Sequence, residues 1–197
     1  MTPRQDDERT DKSKNGEASA RDETPDEEDW SKLLNAYNNV IRFAHDPQSV
    51  IQAYLIKGHV LDVKMGLPDK AAQHYQKAKH YQETLSGDVK RPAQLERLAE
   101  LALLKLSELA IREKKADQAK GFVEKALSLS DSGASFGAEL HLALALSLLS
   151  SDEEAAGRAL VEATSIDAEL KKTLKGKSVG DDAVLTELQS RIQLTLR

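Results

Sequence analysis

Polar and apolar positions alternate at helical spacing along this chain from Trp30 almost to its end. Trp30, Leu33, Leu34, Tyr37, Val40, Ile41 and Ala44 fall at steps of three and four, the apolar stripe of an amphipathic helix. Asp46-Pro47 closes that helix and opens a second over about residues 48–64, because proline suits the first helical turn. Gly66 stops it and Pro68 restarts the chain, so a third helix is predicted over residues 69–85. Ser86-Gly87-Asp88 interrupts the pattern. Leu95, Leu98, Leu101, Ala102, Leu106, Leu109 and Ala110 then predict one long helix over residues 92–113. Further helices are expected over residues 116–129, 136–149 and 152–165, the last entered through Asp152, a good capping residue. A short helix over residues 168–176, a Lys/Gly loop to Gly180 and a last helix from Asp181 to near Arg197 complete the chain. No strand pattern is found, and the expected fold class is all-α.

Charge divides the chain in two. Residues 1–29 hold five Lys/Arg against eleven Asp/Glu, and their only apolar side chains are Met1, Ala18 and Ala20. Such a segment cannot bury enough apolar surface to offset the entropy of ordering it. It is expected to be a disordered acidic tail, with residues 30–197 forming one helical domain. That domain holds 23 basic and 22 acidic residues, so it is almost neutral. There is no cysteine, which excludes disulfides and thiolate metal sites and is compatible with a reducing compartment. The N-terminus has no apolar run of the secretory type, and the longest apolar-rich stretch, residues 136–149, is short of the roughly 20 residues that span a bilayer. A soluble, cytoplasmic protein with no membrane span is the expectation.

The predicted helices come in pairs, and the second helix of each pair carries one mark. Ala71/Tyr75/Ala78, Ala119/Val123/Ala126 and Ala156/Leu160/Ala163 are each small, large, small at steps of four and three. Small residues at both ends permit close helix contact, while the larger one fills the space between. This pattern resembles the tetratricopeptide repeat. Tyr54, Gly58 and Leu61 match the aromatic, small and bulky positions of that family's first helix. Leu103, Leu106, Ser107 and Ala110 stand at the matching places of a second unit, and Leu140, Ala143, Leu144 and Ser147 at those of a third. The chain departs from the family's 34-residue period, since the marks lie 48 and then 37 residues apart. The second and third units also lack the glycine usual in the turn. The resemblance implies an α-solenoid of about three irregular antiparallel helix pairs, with the Trp30 helix as an added N-terminal element and the last helix as a C-terminal cap. A plain closed helical bundle is the alternative that Ala-rich stripes also allow.

The resemblance implies a non-catalytic scaffold or adaptor that captures a segment of another protein on a concave face. The inward positions of the first helices then supply the contacts: Leu55, His59, Val63, Leu104, Glu108, Ile111 and Arg112. A lining this apolar calls for an occupant. It is either an apolar or helical partner segment or the chain's own last helix, with Val184, Leu185, Leu188 and Ile192 along one side. A chaperone or escort for an apolar client and a structural homo-oligomer subunit are the rival readings.

Chemistry is not legible elsewhere. The five histidines, His45, His59, His74, His80 and His141, include no pair at helical metal-ligand spacing, and His74 and His80 are expected on solvent-facing surfaces. Lys175-Gly176-Lys177-Ser178 is similar to the end of a phosphate-binding loop, but Lys171 stands where its first glycine belongs and no strand precedes it. No acid/base pair can be selected among the dispersed carboxylates. The near-neutral domain and acidic tail oppose nucleic-acid binding. No enzyme activity, cofactor or metal is expected.

Overall fold

The computed structural model describes residues 27–85, 92–129 and 136–195. Nine α-helices and no strand occur among them: α1 (Glu27–Phe43), α2 (Pro47–His59), α3 (Pro68–Thr84), α4 (Ala93–Arg112), α5 (Ala116–Leu127), α6 (Gly137–Leu148), α7 (Glu153–Ile166), α8 (Ala168–Thr173) and α9 (Asp182–Thr195). The all-α expectation holds, helix by helix. The acidic tail over residues 1–26 lies outside the described residues. Residues 27–29, assigned to that tail from sequence, belong to the first turn of α1.

Local chemistry explains the boundaries. Asp46 caps α2, its carboxylate accepting from the Gln48 and Ser49 amides at 3.1 and 2.8 Å. Asp152 caps α7 through the Ala155 amide at 2.9 Å, and Asp167 caps α8 through the amides of Glu169 and Leu170. Gly66 follows α2 at φ +63°, the left-handed conformation in which glycine is unstrained. The turn after α4 has no glycine, and Lys114 takes the same conformation there at φ +59°.

One feature of α2 escaped the periodicity. Its last turn, Val60–Lys64, is π-helical, with the Met65 amide bonded to the Val60 carbonyl at 3.1 Å. The extra residue widens this turn ahead of Gly66.

Each helix packs on the next, from α1 to α8, and α2, α4 and α6 also touch in series. The three small-large-small marks lie at these contacts. Ala71, Tyr75, Ala78, Ala119, Val123, Ala126, Ala156 and Ala163 are fully buried, and Leu160 is half-buried. Gly58 is buried against the Tyr75 ring; a methyl group there would lie 2.7 Å from Cδ1 and 2.8 Å from Cζ. Only glycine lets α2 and α3 approach this closely. The centre of the molecule is α4, whose residues from Ala99 to Ala110 are buried on every side.

The last helix is not an end cap. It packs on α4 and α6 and not on α7, with Val184, Leu188 and Ile192 fully buried. A ridge of three apolar residues four apart needs a long apolar seat, and the α4–α6 face supplies one. Arg191 fastens the helix beside this seat, reaching Asp167 at 2.7 Å, Glu187 at 2.7 Å and Glu139 at 3.5 Å.

Candidate functional site

The sequence-predicted contact residues divide according to depth. Leu55 and Leu104 are 1% and 0% exposed and belong to the core, so neither offers a surface to a partner in this conformation. His59 and Ile111 are half-buried, and Val63 is 37% exposed. Glu108 is buried, while the Arg112 side chain keeps 35% of its surface. The expected apolar lining is therefore mostly buried in the core. What stays open at that edge is polar apart from Val63.

The π turn and the end of α4 build this polar edge. Arg112 donates from Nη2 to Asp62 Oδ1 at 2.7 Å and pairs through Nε with Glu108 Oε1 at 2.8 Å. The two carboxylates have side chains only 4% and 5% exposed, so one guanidinium bridges two nearly buried acids. Gln189 of α9 closes the cluster with a long hydrogen bond from Nε2 to Glu108 Oε1, at 3.5 Å. A cavity of about 240 Å³ remains, lined by Asp62, Val63, Lys105, Glu108, Arg112, Gln189 and Gln193.

Lys105 is the unusual member. It is 1% exposed and makes no ion pair among the described residues. Burial pushes its ammonium down to about 8, with Glu108 and Asp62 opposing that shift. Burial also raises the Glu108 carboxyl, against the pull of Arg112 and Lys105. The Tyr75 hydroxyl lies at the back of the cluster and is pushed up by burial first, then by the charges of Asp62 and Glu108. It has no hydrogen-bond partner among the described residues. Two charges of each sign around a small cavity suit a polar or charged group rather than an apolar side chain.

Sequence reasoning placed Glu108 and Arg112 on one face but did not pair either with Asp62, which lies 50 residues before Arg112. Gln189 and Gln193 were missed altogether. The available signal was the run ELALLKLSELA, in which Glu100, Lys105 and Glu108 interrupt a helix that has no solvent face. His74 also differs from expectation. It is half-buried between α2 and α3, its Nδ1 finds no hydrogen-bond partner among the described residues, and burial with the nearby charges of Lys57 and Lys77 pushes its imidazole down to about 4. His80 is 79% exposed, as expected.

Among the described residues no group of His, Asp and Glu side chains is arranged to hold a metal ion, and no helix is long and apolar enough to cross a membrane. Comparison of the chain with protein-family models, with curated proteins and with solved structures finds no match.

Proposed function

We propose that the chain is a non-catalytic protein-interaction scaffold of tetratricopeptide-like repeats, whose inner face receives an amphipathic helix. In this reading α2, α4 and α6 are the inner helices of three pairs, and α3, α5 and α7 are their outer partners. The serial contacts of α2, α4 and α6, and the buried small-large-small marks, support that arrangement.

The observation that carries the function is the seat of α9. The α4–α6 face holds a helical segment with apolar residues at i, i+4 and i+8, Val184, Leu188 and Ile192, all 0% exposed. A groove of this form recognises an amphipathic helix through its apolar ridge. The polar edge at Asp62, Arg112 and Lys105 then reads the flank of the same segment. The resident helix keeps the apolar seat out of water until a partner helix replaces it, and a partner must exceed the resident in affinity for that face.

Removal of residues 181–197 tests this. The truncated chain should stay helical and bind a synthetic peptide of residues 181–195 in trans. It should also bind designed amphipathic helices of the same spacing more tightly than the full chain does. A truncated chain that remains folded yet binds none of these peptides sinks the reading. Light scattering on the full chain separates it from a structural oligomer, for which mass would rise with concentration.

A further inference from the structure

A second cleft, of about 580 Å³, opens between α1 and the α2–α3 pair, away from the α9 seat. Its charge is one-sided. Lys57, Lys70 and His74 line it, and among the described residues no carboxylate does. Lys57 is 7% exposed, and its ammonium donates to the side-chain carbonyl of Asn38, a neutral acceptor. It forms no ion pair among the described residues, so a cation stands nearly buried without a counter-ion. Such burial is costly unless an anion completes the site. Burial and the charge of Lys77 both push the Lys57 ammonium down, and burial first, then the charges of Lys57 and Lys77, depress the imidazole of His74. The side chains of Asn35 and Gln73 add neutral donors around the lysines, and Leu34 and Leu61 form an apolar wall.

We propose that this cleft binds a phosphomonoester, with Lys57 and Lys70 on the phosphoryl oxygens and the carbon portion along Leu34 and Leu61. A phosphoryl dianion carries nearly two charges and three strong acceptors, which matches two ammonium groups and several neutral donors better than a single carboxylate does. The cleft shares no lining residue with the polar edge by α9, so the two readings stand or fall separately.

The probes are inorganic phosphate, glycerol phosphate and phosphatidate vesicles, titrated into the full chain and followed by calorimetry and by NMR of the His74 ring. Saturable binding at one site is expected, with the His74 titration moving upward because a bound dianion stabilises the imidazolium. Acetate should bind more weakly than phosphate. Lys57→Met should lower the affinity for phosphate at least about tenfold with the helix content unchanged, the lost hydrogen bond costing little because Asn38 is exposed. Lys70→Ala, on the exposed rim, should lower it about threefold with the fold unchanged. Binding of the soluble ester identifies a soluble ligand; binding of vesicles alone identifies a lipid headgroup. The proposal is overturned if none of the probes binds. It is also overturned if phosphate perturbs Lys120, Lys171 and Lys172 as much as the cleft without saturating, or if Lys57→Met binds phosphate as the wild type does.

Discussion

α1 and α9 flank the described chain, and each carries an apolar stripe at helical spacing. On α9, Val184, Leu188 and Ile192 are all 0% exposed. On α1 no described side chain is fully buried: Trp30, Leu33, Leu34, Tyr37, Val40 and Ile41 are half-exposed, and Phe43 is 65% exposed. The difference lies in what receives each helix. α9 lies on two helices, α4 and α6, whereas α1 rests on α2 and its π turn. A stripe seated between two long helices is covered more completely than one laid along a single helix and its last turn. The polar ties follow the same order. Arg191 holds α9 through two carboxylates outside the helix, Asp167 and Glu139, while α1 is tied by Lys57 to Asn38 and by Lys64, whose ammonium sits 5.6 Å from the centre of the Trp30 ring.

The largest expected effect follows from the better-covered helix. Leu188→Ala should cost about 2–5 kcal/mol in urea unfolding, the range for a fully buried leucine. A cost equal to that of Leu34→Ala would erase the contrast between the two helices. Gly58→Ala should cost about 1–3 kcal/mol, because the added methyl meets the Tyr75 ring in a packed interior. Since Gly58 lies between α2 and α3, that cost should not change when residues 181–197 are removed, whereas the effect of any change under α9 should vanish.

The next prediction concerns the buried lysine under α9. Folded Lys105 gives up its proton near pH 8, while in the unfolded chain it does so near its ordinary value of 10.5. Between those values the unfolded chain holds more protons, so this group makes stability rise with pH. Compared with Lys105→Met, the wild type should therefore gain roughly 1–2 kcal/mol between pH 8 and pH 10.5. A constant gap between the two proteins over that window would show that Lys105 is not held in an unfavourable charged state. The smallest effect belongs to α1: Leu34→Ala should cost about 1 kcal/mol or less, as suits a half-covered leucine. A cost above that of Gly58→Ala would mean that α1 is far more firmly seated than its exposure indicates.

Much of this molecule was legible in the chain because helices are local. Proline at residues 47, 68 and 92, Gly66, and the caps at Asp46 and Asp152 fix the boundaries within a few residues. The small-large-small marks were read correctly as packing positions, since a small residue every three or four positions has few other uses on a helix. The candidate site was legible only in part. Leu55 and Leu104 occupy inward positions in the repeat pattern, yet α4 is enclosed on every side, so those positions became core. The pairing of Asp62 with Arg112 depends on the π turn at Val60–Lys64, which no periodicity announces.

Which segments are helical, where they start and stop, which face of each is apolar, and the acidic excess near the N-terminus are all written in the order of residues. These are consequences of hydrogen bonding, capping and spacing within a few residues of each position. It took the packing of distant segments to set the last helix on α4 and α6 rather than over the end of α7, to bury Lys105 with no ion pair among the described residues, and to bring Lys57 and His74 into one cleft that no described carboxylate lines. Burial and pairing depend on which distant surfaces meet, and an apolar stripe says only that it must be covered, not by what.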